Sequence, residues 1–248
     1  MTDYLVFRLY GAMASWGQPA VGGDRHTYSQ PTKSAILGLM GAAIGIKRND
    51  EQGLAALHSS VRIAVKQCMP STLVRDYHTT QVPPSEAKLV YRTRKQELSD
   101  ALKLSTILST RDYRCDGLWV VAVTATATAS IDLTQIKEAL QYPVFVPYLG
   151  RKSCPLALPM MPQLVSQINL REALDTVFPA LTNSAKEDGV WLSSSARVTY
   201  YWEGNTDAMG LEETITSYPW DEPTHKGRWQ FKQQQLHQVS VEESNVPI

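Results

Sequence analysis

Tyr4-Leu5-Val6-Phe7-Arg8-Leu9-Tyr10, closed by Gly11, opens the chain with an aromatic and branched run that reads as a buried first strand. A polar, glycine-containing loop follows as far as Gln30. Pro31-Thr32 then introduces an apolar stretch, and Thr32 can cap a helix over residues 33–46. A short helix over residues 50–59 comes next, after which Val61-Arg62-Ile63-Ala64-Val65-Lys66 alternates as a half-buried strand does. The opening unit is therefore β-α-β. Gly38, Ala42 and Gly45 fall on one face of the first helix. Glycine costs a helix about 1 kcal/mol against alanine, so this face predicts close approach by a sheet or a partner.

Residues 118–129 supply the clearest strand, with Thr and Ala alternating in its later half. Asp132 begins a helix, Gln135 completes a capping box, and Ile136, Ala139 and Leu140 form its apolar stripe. Residues 143–147, bounded by two prolines, read as a short strand at a sheet edge. Two β-α-β units in succession make an α+β, ferredoxin-like (RRM-like) assembly the economical one, with helices on one face of an antiparallel sheet. Residues 67–117 are too long for a connection and carry a strand-like piece at 88–92, so they read as an inserted arm. Beyond Pro159 the pattern loosens. Residues 198–202 and 229–232 still read as strands, giving a small, mainly β carboxyl-terminal subdomain that ends in an acidic tail. The expected division is 1–158 and 159–248.

The 248 residues are 43% apolar and 19% charged, which excludes wholesale disorder. The longest near-apolar run, residues 35–46, is twelve residues long, well short of the roughly 20 needed to cross hydrocarbon, so no membrane is expected. An acidic amino terminus without a basic flank predicts no signal peptide and a cytosolic protein. Cys68, Cys115 and Cys154 are odd in number and form no C-x-x-C, and the five histidines show no ligand spacing. Neither a metal nor a cofactor is expected. Net charge is zero, yet residues 1–115 hold 15 Lys/Arg against 9 Asp/Glu while residues 116–248 hold 9 against 15. That asymmetry fits one end that meets a polyanion, and it fits uneven solvated faces equally well.

The arm gathers cations and aromatics: Arg75, Tyr77 and His78 at its start, Arg92, Arg94 and Lys95 in its middle, Arg111, Tyr113 and Arg114 at its end. Single-stranded RNA calls for both kinds of residue, cations for phosphates and flat groups for unstacked bases. Asp76, Glu97, Asp100 and Asp112 interleave with them, so a salt-bridged hairpin explains the same residues. Gly150-Arg151-Lys152-Ser153 places two cations and a hydroxyl on a glycine turn where backbone N–H groups can also face a phosphate. Arg25, His26 and Lys33 form a third cluster near the start of the first helix. Walker A, Rossmann, G-x-S-x-G and RNP1 patterns are all absent. A metal-independent ribonuclease needs a base, an acid and a cation, which His26, Lys33, Tyr77 and His78 could supply.

Gly11-x-Met13-x-x-Trp16-Gly17-Gln18-Pro19, Pro31-Thr32-Lys33-Ser34 running into Leu37-Gly38-Leu39-Met40-Gly41-Ala42, Arg75-Asp76-Tyr77-His78-Thr79, Arg111-Asp112-Tyr113 and Tyr148-Leu149-Gly150-Arg151-Lys152-Ser153-Cys154-Pro155-Leu156 occur in an order that resembles the CasD family. These are RAMP subunits of the type I-E CRISPR Cascade complex, and the resemblance runs to about Leu158. It implies a ferredoxin-like domain with a β-hairpin thumb, matching the arm at 67–117, and a small carboxyl-terminal subdomain. It implies binding of the crRNA 5′ handle as a hook, with the thumb across the guide beside the backbone subunit. Contact with the large subunit, only indirect contact with target DNA and a role in antiviral defence follow. Arg111 is the first candidate at the junction of handle and thumb; Arg151, Lys152, Gln18, Arg25 and His26 come next, then Lys33, Arg75, Tyr77, His78, Arg92, Tyr113, Arg114 and Ser153. Relatives in another CRISPR subtype cleave precursor RNA, whereas the type I-E members resembled here bind without cutting. The expectation is therefore a non-catalytic RNA-binding subunit, with a precursor-processing, metal-independent endoribonuclease as the alternative.

Overall fold

β1 (Thr2–Ala14) has residues 4–9 all buried, Arg8 among them, as in a strand covered on both faces. The computed structural model describes residues 1–17, 20, 22–85, 90–183, 187–188, 197–225 and 230–242. After β1 come the short strands β2 (Trp16–Gly17), β3 (Asp24–Arg25) and β4 (Thr27–Tyr28), then α1 (Lys33–Ile44), α2 (Glu51–Ser60) and β5 (Val61–Gln67). The arm follows as β6 (Thr72–Val82), α3 (Arg94–Glu97) and the outer half of β7 (Ser105–Ala125). α4 (Leu133–Gln141), β8 (Gln163–Gln167), α5 (Leu170–Leu174), β9 (Arg197–Trp202), β10 (Ile215–Ser217), β11 (Trp220–His225), β12 (Gln230–Gln233) and β13 (Leu236–Glu242) complete the chain.

The fold is α+β, and its main sheet runs β10-β13-β9-β5-β7-β1-β8, with β3 and β6 also paired to β7. Within it β8, β1, β7 and β5 are successive antiparallel neighbours. α1 and α2 carry the chain from β1 to β5, and α4 lies on the path from β7 to β8, so the two β-α-β units interleave. α1 and α4 cover one face, where Leu5, Phe7, Leu9, Val121 and Val123 meet Ile36, Met40 and Ile136. The opposite face is covered too: α5 and Phe178 pack on Tyr4, Val6, Val120 and Trp202. Helices thus flank the sheet on both sides, which corrects the one-faced expectation and accounts for apolar side chains on both faces of β1.

α1 starts at its expected cap, where Thr32 accepts a hydrogen bond from the Ala35 N–H, and it ends at Gly45, whose φ of +92° is left-handed. Residues 143–147 do not form the expected strand. Val144 and Phe145 instead donate their N–H groups to the Ala43 and Ala42 carbonyls at 2.9 and 3.1 Å, satisfying the end of α1. The fourth strand of the interleaved units is β8. Of the small-residue face, Gly45 is closely approached by Val144, whose side chain would stand 3.1 Å from a Cβ there, whereas Gly38 faces open space.

In the arm, β6 and β7 pair antiparallel from Thr72↔Cys115 to Val82↔Ser105. Of the strand-like piece at 88–92, Lys88 and Leu89 lie outside the described residues, and Val90, Tyr91 and Arg92 belong to no strand. Beyond residue 158 the chain is mainly β, and its strands join the same sheet: β8 pairs with β1, and β9 with β5. β11 and β12 form a separate two-stranded sheet beside α1; Trp229, expected in a strand, lies outside the described residues. No disulfide joins the three cysteines. Among the described residues, no helix is long and apolar enough to cross a membrane.

Candidate nucleic-acid interface

The root of the arm is where separate stretches of the sequence converge. β3 pairs in parallel with β7 and sets Arg25 beside Arg111. The loop carrying Arg25 and His26 is fixed to the body by Trp16, whose N–H donates to Thr27 Oγ1 at 2.7 Å and whose ring meets Trp119 edge to face at 5.1 Å. Arg114, expected to face RNA, donates its Nε to the Tyr28 carbonyl at 3.1 Å and helps hold this loop.

Asp112 sits at the centre. Arg75 closes two hydrogen bonds on its carboxylate, Nε to Oδ1 at 2.8 Å and Nη2 to Oδ2 at 3.0 Å, and His26 Nδ1 lies 3.1 Å from the same Oδ2. Asp112 is only 3% exposed, while the side chains of Arg75 and His26 are each 55% exposed. The Arg75 hydrogen bonds, assisted by His26, outweigh the opposing effect of burial and lower the Asp112 carboxyl to about 2.

The basic turn stands beside this cluster. Gly150 has φ of +82°, and Ser15 N–H donates to the Leu149 carbonyl at 3.0 Å. Arg151 lies over the Tyr113 ring, 4.9 Å from its centroid, and donates Nη2 to the Arg25 carbonyl at 3.2 Å. Its Nη1 is buried with no hydrogen-bond partner among the described residues. Lys152 and Ser153 are exposed on the same turn. Arg25, His26, Arg151, the open face of α1 at Ala35 and Gly38, and Phe231 line a groove of about 1020 Å³.

The remaining candidates divide. Arg111 is exposed, and no carboxylate pairs with it among the described residues; its cross-strand neighbour Asp76 lies 2.7 Å from His78 Nδ1 instead. Tyr77 projects from the arm with 61% of its surface exposed, and Tyr113 is buried beneath Arg151. Lys33 is turned into the protein, its Nζ 2.7 Å from Glu203 Oε2 in a largely buried pair. Arg92 is exposed beyond the end of β6, away from the root. Gln18 lies outside the described residues. Asp112 itself was not a sequence candidate, although the sequence holds the signal: Arg-Asp-Tyr occurs at 75–77 and again at 111–113. Antiparallel pairing then sets Arg75 opposite Asp112 and Asp76 opposite Arg111. Among the described residues no group of three or more potential ligands could hold a metal ion.

Residues 4–239 match a family model described as CRISPR-associated protein (Cas_Cas5). A curated relative, the CRISPR system Cascade subunit CasD of Escherichia coli (strain K12), is 39% identical over 168 residues, covering 64% of this chain and 70% of that protein. A chain of a solved CRISPR RNA-guided surveillance complex superposes with a TM-score of 0.65 at 25% identity, over 97% of this chain and 90% of that one. A second solved structure, of a Cas protein, shares the fold with a TM-score of 0.61 at 22% identity, over 98% of this chain and 97% of the other.

Proposed function

The chain belongs to the Cas5 family of CRISPR-associated proteins, and on that premise we propose that it is the Cascade subunit that holds the 5′ handle of the guide crRNA without cutting it. The arm lies across the guide beside the neighbouring backbone subunit, the body meets the large subunit, and target DNA is reached only through the guide. The observation that carries this reading is Arg111, an exposed cation at the arm root with no carboxylate partner among the described residues, set beside Arg25 on β3, with Arg75 and His26 held on Asp112 one position further along β7. Phosphates of a bent single strand would take the open guanidinium of Arg111 and the exposed ammonium of Lys152, with Arg151 backing the turn between them. Unstacked bases would take Tyr77 and the groove over Gly38. Each charged hydrogen bond of this kind contributes about 1.5–3 kcal/mol.

The test is co-expression of the chain with a guide RNA and the genes of the other subunits, followed by purification on this chain. Guide RNA and the backbone subunit should co-purify in fixed proportion. A chain that is recovered with protein partners but never with RNA would overturn the reading.

One observation favours a second reading. The Asp112 carboxylate faces His26 Nδ1 and leaves the other ring nitrogen open to the groove, the arrangement a general base for a 2′-hydroxyl would use. The alternative is thus a metal-independent endoribonuclease acting on precursor crRNA.

A further inference from the structure

We propose that Asp112 is a positioning residue for RNA: it acts through Arg75 and His26, presenting one open nitrogen of each at the arm root. The inference rests on the RNA-binding reading above. Arg75 uses Nε and Nη2 on the carboxylate, and His26 uses Nδ1. Arg75 Nη1 and His26 Nε2 have no hydrogen-bond partner among the described residues, and both side chains remain more than half exposed. A buried carboxylate is a costly way to fasten a hairpin, because an apolar residue of similar size would hold it at least as well without the desolvation cost. What the carboxylate does that an apolar side chain cannot is fix the plane of a guanidinium and the tilt of an imidazole before a ligand arrives. Ordering a long flexible side chain in advance removes part of the entropic cost of binding. Ser15 holds the strand at this point, its hydroxyl donating to the Asp112 backbone carbonyl at 3.1 Å, so the carboxylate is itself anchored.

Arg75 and Asp112 join β6 to β7, so a purely structural role predicts a loss of stability without a change in how the folded protein meets RNA. A positioning role predicts a change in the contacts themselves. The experiment measures dissociation constants of the full chain for a labelled RNA oligonucleotide carrying the repeat-derived 5′ handle, across a series of salt concentrations. Active fraction is fixed by stoichiometric titration. Arg75→Ala should weaken binding about 10-fold and lower the log-log salt slope by about 0.7, the loss of one phosphate contact on a single strand, and Asp112→Asn, which releases both Arg75 and His26, should lose at least as much. The double variant should bind within about twofold of Asp112→Asn, since Arg75 acts through the carboxylate that this variant removes.

Arg75→Lys sits on an exposed strand and guards against failure of Asp112→Asn to fold. It keeps the charge and cannot close two parallel bonds on the carboxylate, so it should lose nearly as much affinity as Arg75→Ala. Wild-type affinity and slope in Asp112→Asn, multiplicative losses in the double variant, or wild-type binding by Arg75→Lys would each overturn the proposal while leaving the RNA-binding reading standing. A wild-type chain that prefers the handle no more than a scrambled RNA of equal length would overturn that reading and the positioning role with it.

Discussion

Gly150 lies so close to Ser15 that a Cβ on residue 150 would stand 1.8 Å from the Ser15 carbonyl oxygen. With a left-handed φ as well, position 150 admits only glycine, and the turn that presents Arg151 and Lys152 is pinned to the end of β1. Gly150→Ala should cost more than about 2 kcal/mol of stability, combining backbone strain with a clash that neither backbone can relieve. Gly22 shares the left-handed conformation, with φ of +86°, but has nothing within 4 Å. Gly22→Ala should therefore cost only about 1 kcal/mol. Urea unfolding of both variants checks the contrast, and equal losses would show that the Ser15 contact is not what fixes the turn.

Asp221 and Asp112 bend the pH profile of stability in opposite directions. Asp221 is 2% exposed, and burial, opposed by hydrogen bonds from Ser34, pushes its carboxyl up to about 6. The native chain holds this proton more tightly than the unfolded chain, so its contribution is complete below about pH 4 and lost as pH rises through about 6. A separation of about two pH units corresponds to roughly 3 kcal/mol. Asp112, lowered to about 2, stabilises above about pH 4 and loses that contribution as pH falls toward 2. Asp221→Asn should flatten the decline between about pH 4 and pH 7 and leave the acid limb unchanged. A profile superimposable on the wild type would remove Asp221 as its source.

Arg111→Ala should weaken assembly of the guide-bound complex by about 10-fold or more, the loss of one charged contact. Arg94→Ala should change it by less than about twofold, since an exposed pair of this kind is worth little; Arg94 pairs with Glu97 at 2.7 Å on the exposed side of the arm. Native mass spectrometry of complexes formed with each variant gives the comparison. Equal losses would remove Arg111 from the handle.

Binder and enzyme separate in a cleavage assay. A general base contributes typically 10²–10⁴-fold, so a true ribonuclease should lose its cutting with its base. The chain incubated with precursor repeat RNA and EDTA should leave the RNA intact, and the His26→Ala/His78→Ala double variant should still assemble with ready-made guide, though more weakly than the wild type because His26 meets the RNA. Site-specific cutting that this variant abolishes would establish the endoribonuclease instead.

Local signals carried much of this fold. The apolar run of β1, the Thr32 cap of α1 and the alternation of β5 are written within a few residues each, and each element formed where they placed it. The failures are of longer range. Residues 143–147 look like a strand by composition, but proline removes two donors and the Val144 and Phe145 N–H groups find the end of α1, about a hundred residues earlier in the chain. β8 is half polar, and only its pairing with β1 identifies it. Lys33 stands in a basic sequence neighbourhood, yet its partner Glu203 lies 170 residues away. The arm was legible as an insertion, whereas the carboxylate that organises its root was visible only through the repeated Arg-Asp-Tyr once the strand register was known.

The most direct test of the central claim is photocrosslinking in the assembled complex, with a photoreactive nucleotide placed in the 5′ handle of the guide and the attached peptides identified by mass spectrometry. Crosslinks should fall in β3 with the loop just before β4, in β6, in the outer half of β7 and on the turn at residues 148–154, the segments that converge on Asp112. Crosslinks confined to the face covered by α5, or to the β10 edge of the sheet, would contradict the account.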